Sequence, residues 1–267
     1  MVNLIVAAAA LAAGMPTTAP SAPPADQPAM FVVRDADTII YIFGTFHALD
    51  GHSQWFDGRV RNAFEQSNEL VLETVIPEQP APIGQIGPGF RGPTMTPSAS
   101  FLATTRMAIN AGRSQGMQVG NGADMILRHQ AEAEGKPVEG LETLELQLNM
   151  FNRMPAGPVP APTRRTAGSG ADNQMQSLSR AMAEMQAAWK RGDQSVFVRM
   201  LDQLSNASPE TYRMMFTERN ARWADWVRAR MQTPGTVFVA VGAGHLAGKD
   251  SLLVRLAERG IPSHRVN

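Results

Sequence analysis

The chain reads as an α/β protein, with a central, largely parallel sheet built from two βα halves and a helical insertion between them. Three observations predict it. Apolar runs of strand length alternate with helical patterns near both ends of the chain. The order strand, helix, strand favours parallel pairing with a right-handed crossover. Two of the apolar runs also end alike, at Gly44-Thr45-Phe46-His47 and at Gly242-Ala243-Gly244-His245.

In chain order, "AMFVVRDADTIIYIF" is two strands around an Asp-Ala-Asp turn. "FDGRVRNAFEQSNE" is a helix with Val60 and Phe64 on one face, and "ELVLETVI" is a buried strand from Leu70 to Ile76. Residues 77–97, rich in Gly and Pro and without period, form a long loop, which inside a domain is functional or mobile. Helical patterns follow over 100–111 and 123–134, the second stopping at Gly135. "KPVEGLE" is the next strand, and "TLELQLNMF" starts another helix. Beyond a second loop-like stretch, 154–170, two amphipathic helices, "NQMQSLSRAMAEMQAAWKRGD" and "SVFVRMLDQLSN", join at Gly192-Asp193. Ser208, Pro209 and Glu210 make an N-terminal signal (a cap, a proline, an acid) for a helix that runs to Pro234-Gly235. The second Gly-x-x-His strand comes next. Asp250 is placed to cap a last helix, "SLLVRLAERG", and "IPSHRV" is the final strand.

Composition excludes several classes of function. With 267 residues, 43% of them apolar, the chain can bury a core without staples. Lys plus Arg equals Asp plus Glu at 24 each, with no long run of either sign, so there is no electrostatic footprint for nucleic acid or anionic membrane. The absence of cysteine removes disulfides, zinc ribbons and thiol nucleophiles.

Residues 1–28 stand apart from the expected domain, 29–267. "VNLIVAAAALAAG" is an apolar run of signal-peptide length ending in the small residues Ala12-Ala13-Gly14, short of the roughly 20 apolar residues a membrane span needs. No Lys or Arg precedes it, which leaves an alanine-rich helix or lipid-proximal anchor as the rival reading. "MPTTAPSAPPADQP" is a Pro/Ala/Ser linker with nothing to pack. The expectation is an exported protein, periplasmic or extracellular, with no stable transmembrane span and folded structure from near Ala29.

In open α/β sheets, ligands sit outside the carboxyl ends of the strands. Four residues with metal-ligand chemistry are expected there: His47, His245, Glu73 and Glu142. Gly44 and Gly242 would let the chain turn sharply and let backbone approach a ligand without a Cβ in the way. Two histidines with one or two carboxylates suit zinc, manganese, cobalt or iron. Such an ion lowers the pKa of its water toward about 7, and a carboxylate not tied to it can take that water's proton. Each feature has a plainer reading: a histidine in a turn, a strand-edge charge at Glu73, a helix-start acid at Glu142. The two matching motifs favour the metal. His52, His129 and His264 fit surface or helix positions, and the methionines and tryptophans of the late helices fit packing.

Through "YIFGTFHALD", "ELVLETV", "GLETLELQL", "ERNARW" and "VFVAVGAGHLAGKDSLLVRLAERG", in that order, the chain from about Ala29 onward closely resembles the TraB/GumN family. That family is related to the Tiki metalloproteases and, more distantly, to the erythromycin esterase and ChaN-like proteins. The resemblance implies a metal-dependent, peptidase-like hydrolytic centre acting on a peptide or small-molecule substrate. Carried over, the motif positions are Gly44, His47, Glu73, Gly242 and His245. His47, His245 and Glu73 then serve as ligands for a divalent ion (Mn, Co or Zn), and Glu73, Glu142 and Arg219 as catalytic groups. Arg219 either holds a carboxylate or stabilises an oxyanion, or is a helix-surface charge. The stretch from Gly84 to Gly92 and the loop near Pro158 fall outside the family pattern. The alternative is a protein that captures a metal, haem or small ligand in the same crevice without turnover, and fold alone does not decide between the two.

Overall fold

The computed structural model describes residues 26–56, 58–75, 107, 109–153 and 170–266. The N-terminal apolar run, the loop expected over 77–97, all but Gly170 of the loop expected over 154–170, residue 76, and most of the helix expected over 100–111 lie outside the described residues. Asp26 and Gln27 already bond into the domain, accepting from the Gln54 amide at 3.1 Å and donating to the Lys190 carbonyl at 2.6 Å, so docking starts just ahead of Ala29.

Among the described residues, six strands form one sheet: β1 (Met30–Arg34), β2 (Thr38–Thr45), β3 (Glu69–Thr74), β4 (Val138–Glu142), β5 (Gly235–Gly242) and β6 (His264–Arg265). Their order is β4-β3-β5-β2-β1-β6. Strands β4, β3, β5 and β2 are mutually parallel, while β1 runs antiparallel to both β2 and β6. The β1–β2 hairpin closes where Asp35 Oδ1 accepts from the amides of Asp37 and Thr38, at 3.2 and 2.9 Å. The helix α1 (Gly58–Gln66) links β2 to β3, but those two strands do not pair as the strand–helix–strand order suggests. The late strand β5 lies between them.

Helices cover both faces, which is why the central strands β2 and β5 read as unbroken apolar runs. Side chains alternate across β5: Phe238 and Ala240 face one layer, Val237, Val239 and Val241 the other. The first layer packs α1, α2 (Ala123–Ala133), α4 (Gly170–Lys190) and α5 (Ser195–Ala207) through Phe64, Leu127, Trp189 and Phe197. The second packs α7 (Glu218–Arg230) and α8 (Leu252–Ala257) through Trp223, Val227, Leu252 and Leu256. Burying each such side chain stabilises the fold by about 1.5–3 kcal/mol. Trp55 stacks on Phe43 with ring centres 5.3 Å apart. Trp189 donates its indole N–H to the Gly44 carbonyl at 2.7 Å, fixing the exit from β2.

The helical insertion between β4 and β5 comprises α3 (Leu144–Arg153), α4, α5, α6 (Pro209–Tyr212) and α7. Two expected caps fall elsewhere. The Ser208 side chain makes no cap bond to the helix backbone, and its hydroxyl donates to Thr211 Oγ1 instead. Ser251, not Asp250, caps α8 by accepting from the Val254 amide, while Asp250 is taken by Tyr212 and Arg255. The helix expected from Glu210 onward is interrupted at Arg213–Thr217 by one wide π turn between α6 and α7.

Candidate functional site

The two Gly-x-x-His segments leave adjacent parallel strands at the same level, because Thr45 of β2 pairs with Gly242 of β5. On the other side of β5, Leu72 pairs with Ala240, so Glu73 reaches the same carboxyl edge from β3. A Cβ built on Gly242 would stand 3.0 Å from Glu73 Oε1, 3.3 Å from His47 Nε2 and 3.8 Å from His245 Cδ2. Three side chains thus face one point above Gly242. Neither Gly44 nor Gly242 has a positive φ, so the sharp-turn explanation for these glycines does not hold. Close approach is their reason: a Cβ on Gly44 would press within 3.3 Å of Ala243 Cα in the second motif.

His47 is oriented by α2. Its Nδ1 lies 3.2 Å from Oδ1 of Asp124, in the first turn of that helix. The helix start is docked beneath the motif: the Ala123 amide donates to the Phe46 carbonyl at 3.0 Å, and a Cβ on Gly122 would fall 2.3 Å from the His47 carbonyl oxygen. The His47 side chain is 62% exposed. The hydrogen bond and charge of Asp124, with the charge of Glu73, raise its pKa above the ordinary histidine value.

His245 is buried and held differently. Its Nδ1 lies 2.7 Å from Asn220 Oδ1, and Phe216 and Trp223 flank the ring at 4.9 and 4.4 Å between centres. Burial pushes its pKa well below the ordinary histidine value, more than the charge of Glu73 restores. The neutral ring presents Nε2 to the crevice, 3.7 Å from Glu73 Oε1.

Arg219 ties the carboxylates together. It donates to Glu73 Oε2 at 2.8 Å and to Glu142 Oε2 at 2.9 Å, and lies 3.3 Å from His245 Nε2. Its guanidinium carbon sits 4.6 Å from the centre of the Trp223 ring. The helix-surface reading of Arg219 is therefore wrong, since the side chain is only 4% exposed. Burial disfavours charge on Glu73, but the charges of Arg219 and His47 and the Gly242 amide, bonded at 2.6 Å, hold its carboxyl well below the usual range. Glu142 stands behind Arg219. Its other oxygen accepts from Arg222 at 2.9 Å, and it lines a separate cavity of about 230 Å³ rather than the His47–Glu73 crevice.

That crevice has a volume of about 410 Å³, within the usual range for a ligand site. His47, Glu73, Arg219 and His245 form its polar edge. Much of the rest of its lining is apolar, built by Met182, Met185, Phe197, Met200, Met215 and Phe216, with Phe216 against the His245 ring. These methionines were expected only to pack helices.

Among the described residues, no three His, Asp or Glu side chains stand close enough as placed to hold a metal. The donor chemistry fits a divalent ion all the same. Both imidazoles have Nδ1 engaged by a side-chain oxygen and Nε2 turned toward an ionised carboxylate, as histidine ligands usually are. Sequence reasoning missed Asp124 and Asn220. The one available signal was their position, an acid in the first turn of α2 and the residue after Arg219.

Paired Gly-x-x-His turns at the carboxyl edge of a parallel sheet, with a glutamate between them, define the class of α/β protein to which this site belongs. The sequence model of the TraB/PrgY/gumN family matches residues 29–88 and 83–265, and the chain belongs to that family. No curated protein and no solved structure matches it. No helix among the described residues is long and apolar enough to cross a membrane.

Proposed function

We propose that the chain is an exported, metal-dependent hydrolase with peptidase-like chemistry. The observation that carries this reading is the orientation of the two imidazoles, each fixed through Nδ1 so that Nε2 is turned toward Glu73 around Gly242. His47, His245 and Glu73 would hold the ion. Once bound, a divalent ion supplies a water acidified enough to be a nucleophile at neutral pH. Glu142 takes no proton in this reading, because both of its oxygens are occupied by arginines. Its part is to anchor Arg219, which in turn holds the Glu73 carboxylate in place. Export rests on the apolar run that precedes the Pro/Ala linker. A second reading, capture of a metal, haem or small ligand without turnover, draws support from the apolar wall of the crevice.

His47→Ala and His245→Ala proteins, loaded with Mn, Co or Zn, test the proposal by metal analysis and by cleavage of a peptide library with and without chelator. Loss of both metal and cleavage with the fold intact is the expected result. Full metal uptake and full cleavage in both variants would overturn it. Metal uptake by the wild type with no cleavage would move the assignment to the second reading.

A further inference from the structure

We propose that the apolar half of the crevice is a subsite for an uncharged, extended apolar side chain (leucine, methionine or phenylalanine) on the substrate residue next to the bond that is cleaved. The proposal deepens the hydrolase reading and rests on it for cleavage, but not for binding.

The wall starts at the chemistry. Gly244 lies one residue before His245, and a Cβ placed there would meet Phe216 Cε1 at 3.3 Å and approach Met200 Cε at 4.0 Å. The absence of a side chain at Gly244 therefore lets Phe216 and Met200 close in beside His245. Whatever group is held against His47, Glu73 and His245 has its neighbour on this wall. The wall is also assembled from separate elements, not from one helix stripe. Met182 and Met185 stand one turn apart on α4, as do Phe197 and Met200 on α5. The π turn between α6 and α7 brings the consecutive residues Met215 and Phe216 both onto the cavity lining, and wide turns of this kind are frequent at functional sites.

The lining chemistry selects the ligand class. Methionine is unbranched and polarizable, and it reshapes around chains of different outline. Such a wall suits extended apolar groups of varied shape better than one rigid outline. A charged side chain pressed against the same wall would lose its hydration, with only the neutral amide of Gln147 on that lining to offset the loss. Arg219 does not offset that loss for an acidic group, because it is already committed to Glu73 and Glu142. Met182, Met185 and Met200 are only partly buried, so their surface is open to a ligand.

The probe is a pentapeptide series, acetyl-Ala-Ala-X-Ala-Ala-amide, with X as Leu, Met, Phe, Gly, Asp or Lys. Binding to the metal-free protein is measured by calorimetry, and cleavage is measured on the Mn- or Zn-loaded protein. Apolar X is expected to bind about tenfold or more tighter than Gly, Asp or Lys. Met200→Lys should erase that preference or turn it toward Asp, and Met185→Lys provides a second variant should the first fail to fold. Binding and cleavage indifferent to X, or a ranking unchanged in both variants, would overturn the subsite. Ranked binding without cleavage supports the subsite and overturns the hydrolase. Cleavage indifferent to X keeps the hydrolase and removes the subsite.

Discussion

Asn220 Oδ1 lies 2.7 Å from His245 Nδ1, while the amide nitrogen of the same Asn220 donates to the Asp250 carbonyl, also at 2.7 Å. The second bond decides the first. With its NH₂ committed, Asn220 has only an acceptor to offer, so His245 must carry its proton on Nδ1. Arg219, which can only donate, reaches Nε2 from the other side and requires the same tautomer. Asn220→Ala leaves Arg219 alone to impose this choice and frees the ring to turn. Long-range ¹⁵N NMR of the metal-free protein should show a single Nδ1–H tautomer in the wild type, retained in the variant but lost in the Asn220→Ala/Arg219→Met double variant. Metal affinity in Asn220→Ala should fall by about 10- to 100-fold. A wild-type ring protonated on Nε2 would sink the assignment.

Among the described residues, Arg219 is the one Lys or Arg that bonds Glu73, and it shares Glu142 with the half-exposed Arg222. Arg219→Met keeps much of the volume and removes the charge, leaving Glu73 ionised in a site from which water is largely excluded. The expected cost to folding is about 3–5 kcal/mol, typical of breaking a buried pair from one side. Urea unfolding at neutral pH measures it. A loss below about 1 kcal/mol would show that the carboxylates relax into water without Arg219.

The parts of this architecture that were legible in the sequence are those fixed by local pattern. β2 and β5 are buried on both faces, so their apolar runs are unbroken, and the glycine that ends each run marks where the histidine turns begin. The insertion of β5 between β2 and β3 was not legible, because sheet order depends on which strands meet after folding. Asp124 and Asn220 were hidden for the same reason. Each reaches its histidine only once α2 and α7 have docked, and neither bond leaves a spacing signal. The methionines of α4 and α5 were read as packing residues because a crevice wall and a core face share one helical period.

Asp50 fastens the His47 loop to α4, accepting from Lys190 at 3.0 Å, from Ser53 at 3.0 Å and from Gln186. Desolvation alone would raise its pKa, but these bonds outweigh it and hold the carboxyl below its ordinary value of 3.8. A depressed folded pKa means that the stabilisation is fully present above the unfolded value. It is lost as pH falls through the folded one. Wild-type stability should therefore drop with acid more steeply than that of Asp50→Asn, with the two curves converging at the lowest pH. Urea midpoints from about pH 6 down to about pH 2 span this window, and parallel curves would show that Asp50 contributes nothing through its charge.

Gly242→Ala separates the site from the fold. The backbone at Gly242, φ −52° and ψ 136°, suits any residue, so an added methyl strains nothing locally. Where the conformation is compatible, replacing glycine by alanine stabilises a protein by about 0.4–1 kcal/mol through the unfolded chain. The methyl would nevertheless stand where Glu73 Oε1, His47 Nε2 and the His245 ring converge, at 3.0, 3.3 and 3.8 Å. The Glu73 carboxylate must shift by a few tenths of an ångström, and the space an ion would need is taken. Thermal stability should therefore stay at or near the wild-type value while Mn or Zn affinity falls tenfold or more. Gly122→Ala is the contrasting control. Its methyl would overlap the His47 carbonyl at 2.3 Å, a backbone atom that cannot swing aside, so both stability and metal affinity should drop. Unchanged metal affinity in Gly242→Ala would place any bound ion away from this point, and with it the function proposed for the paired histidines.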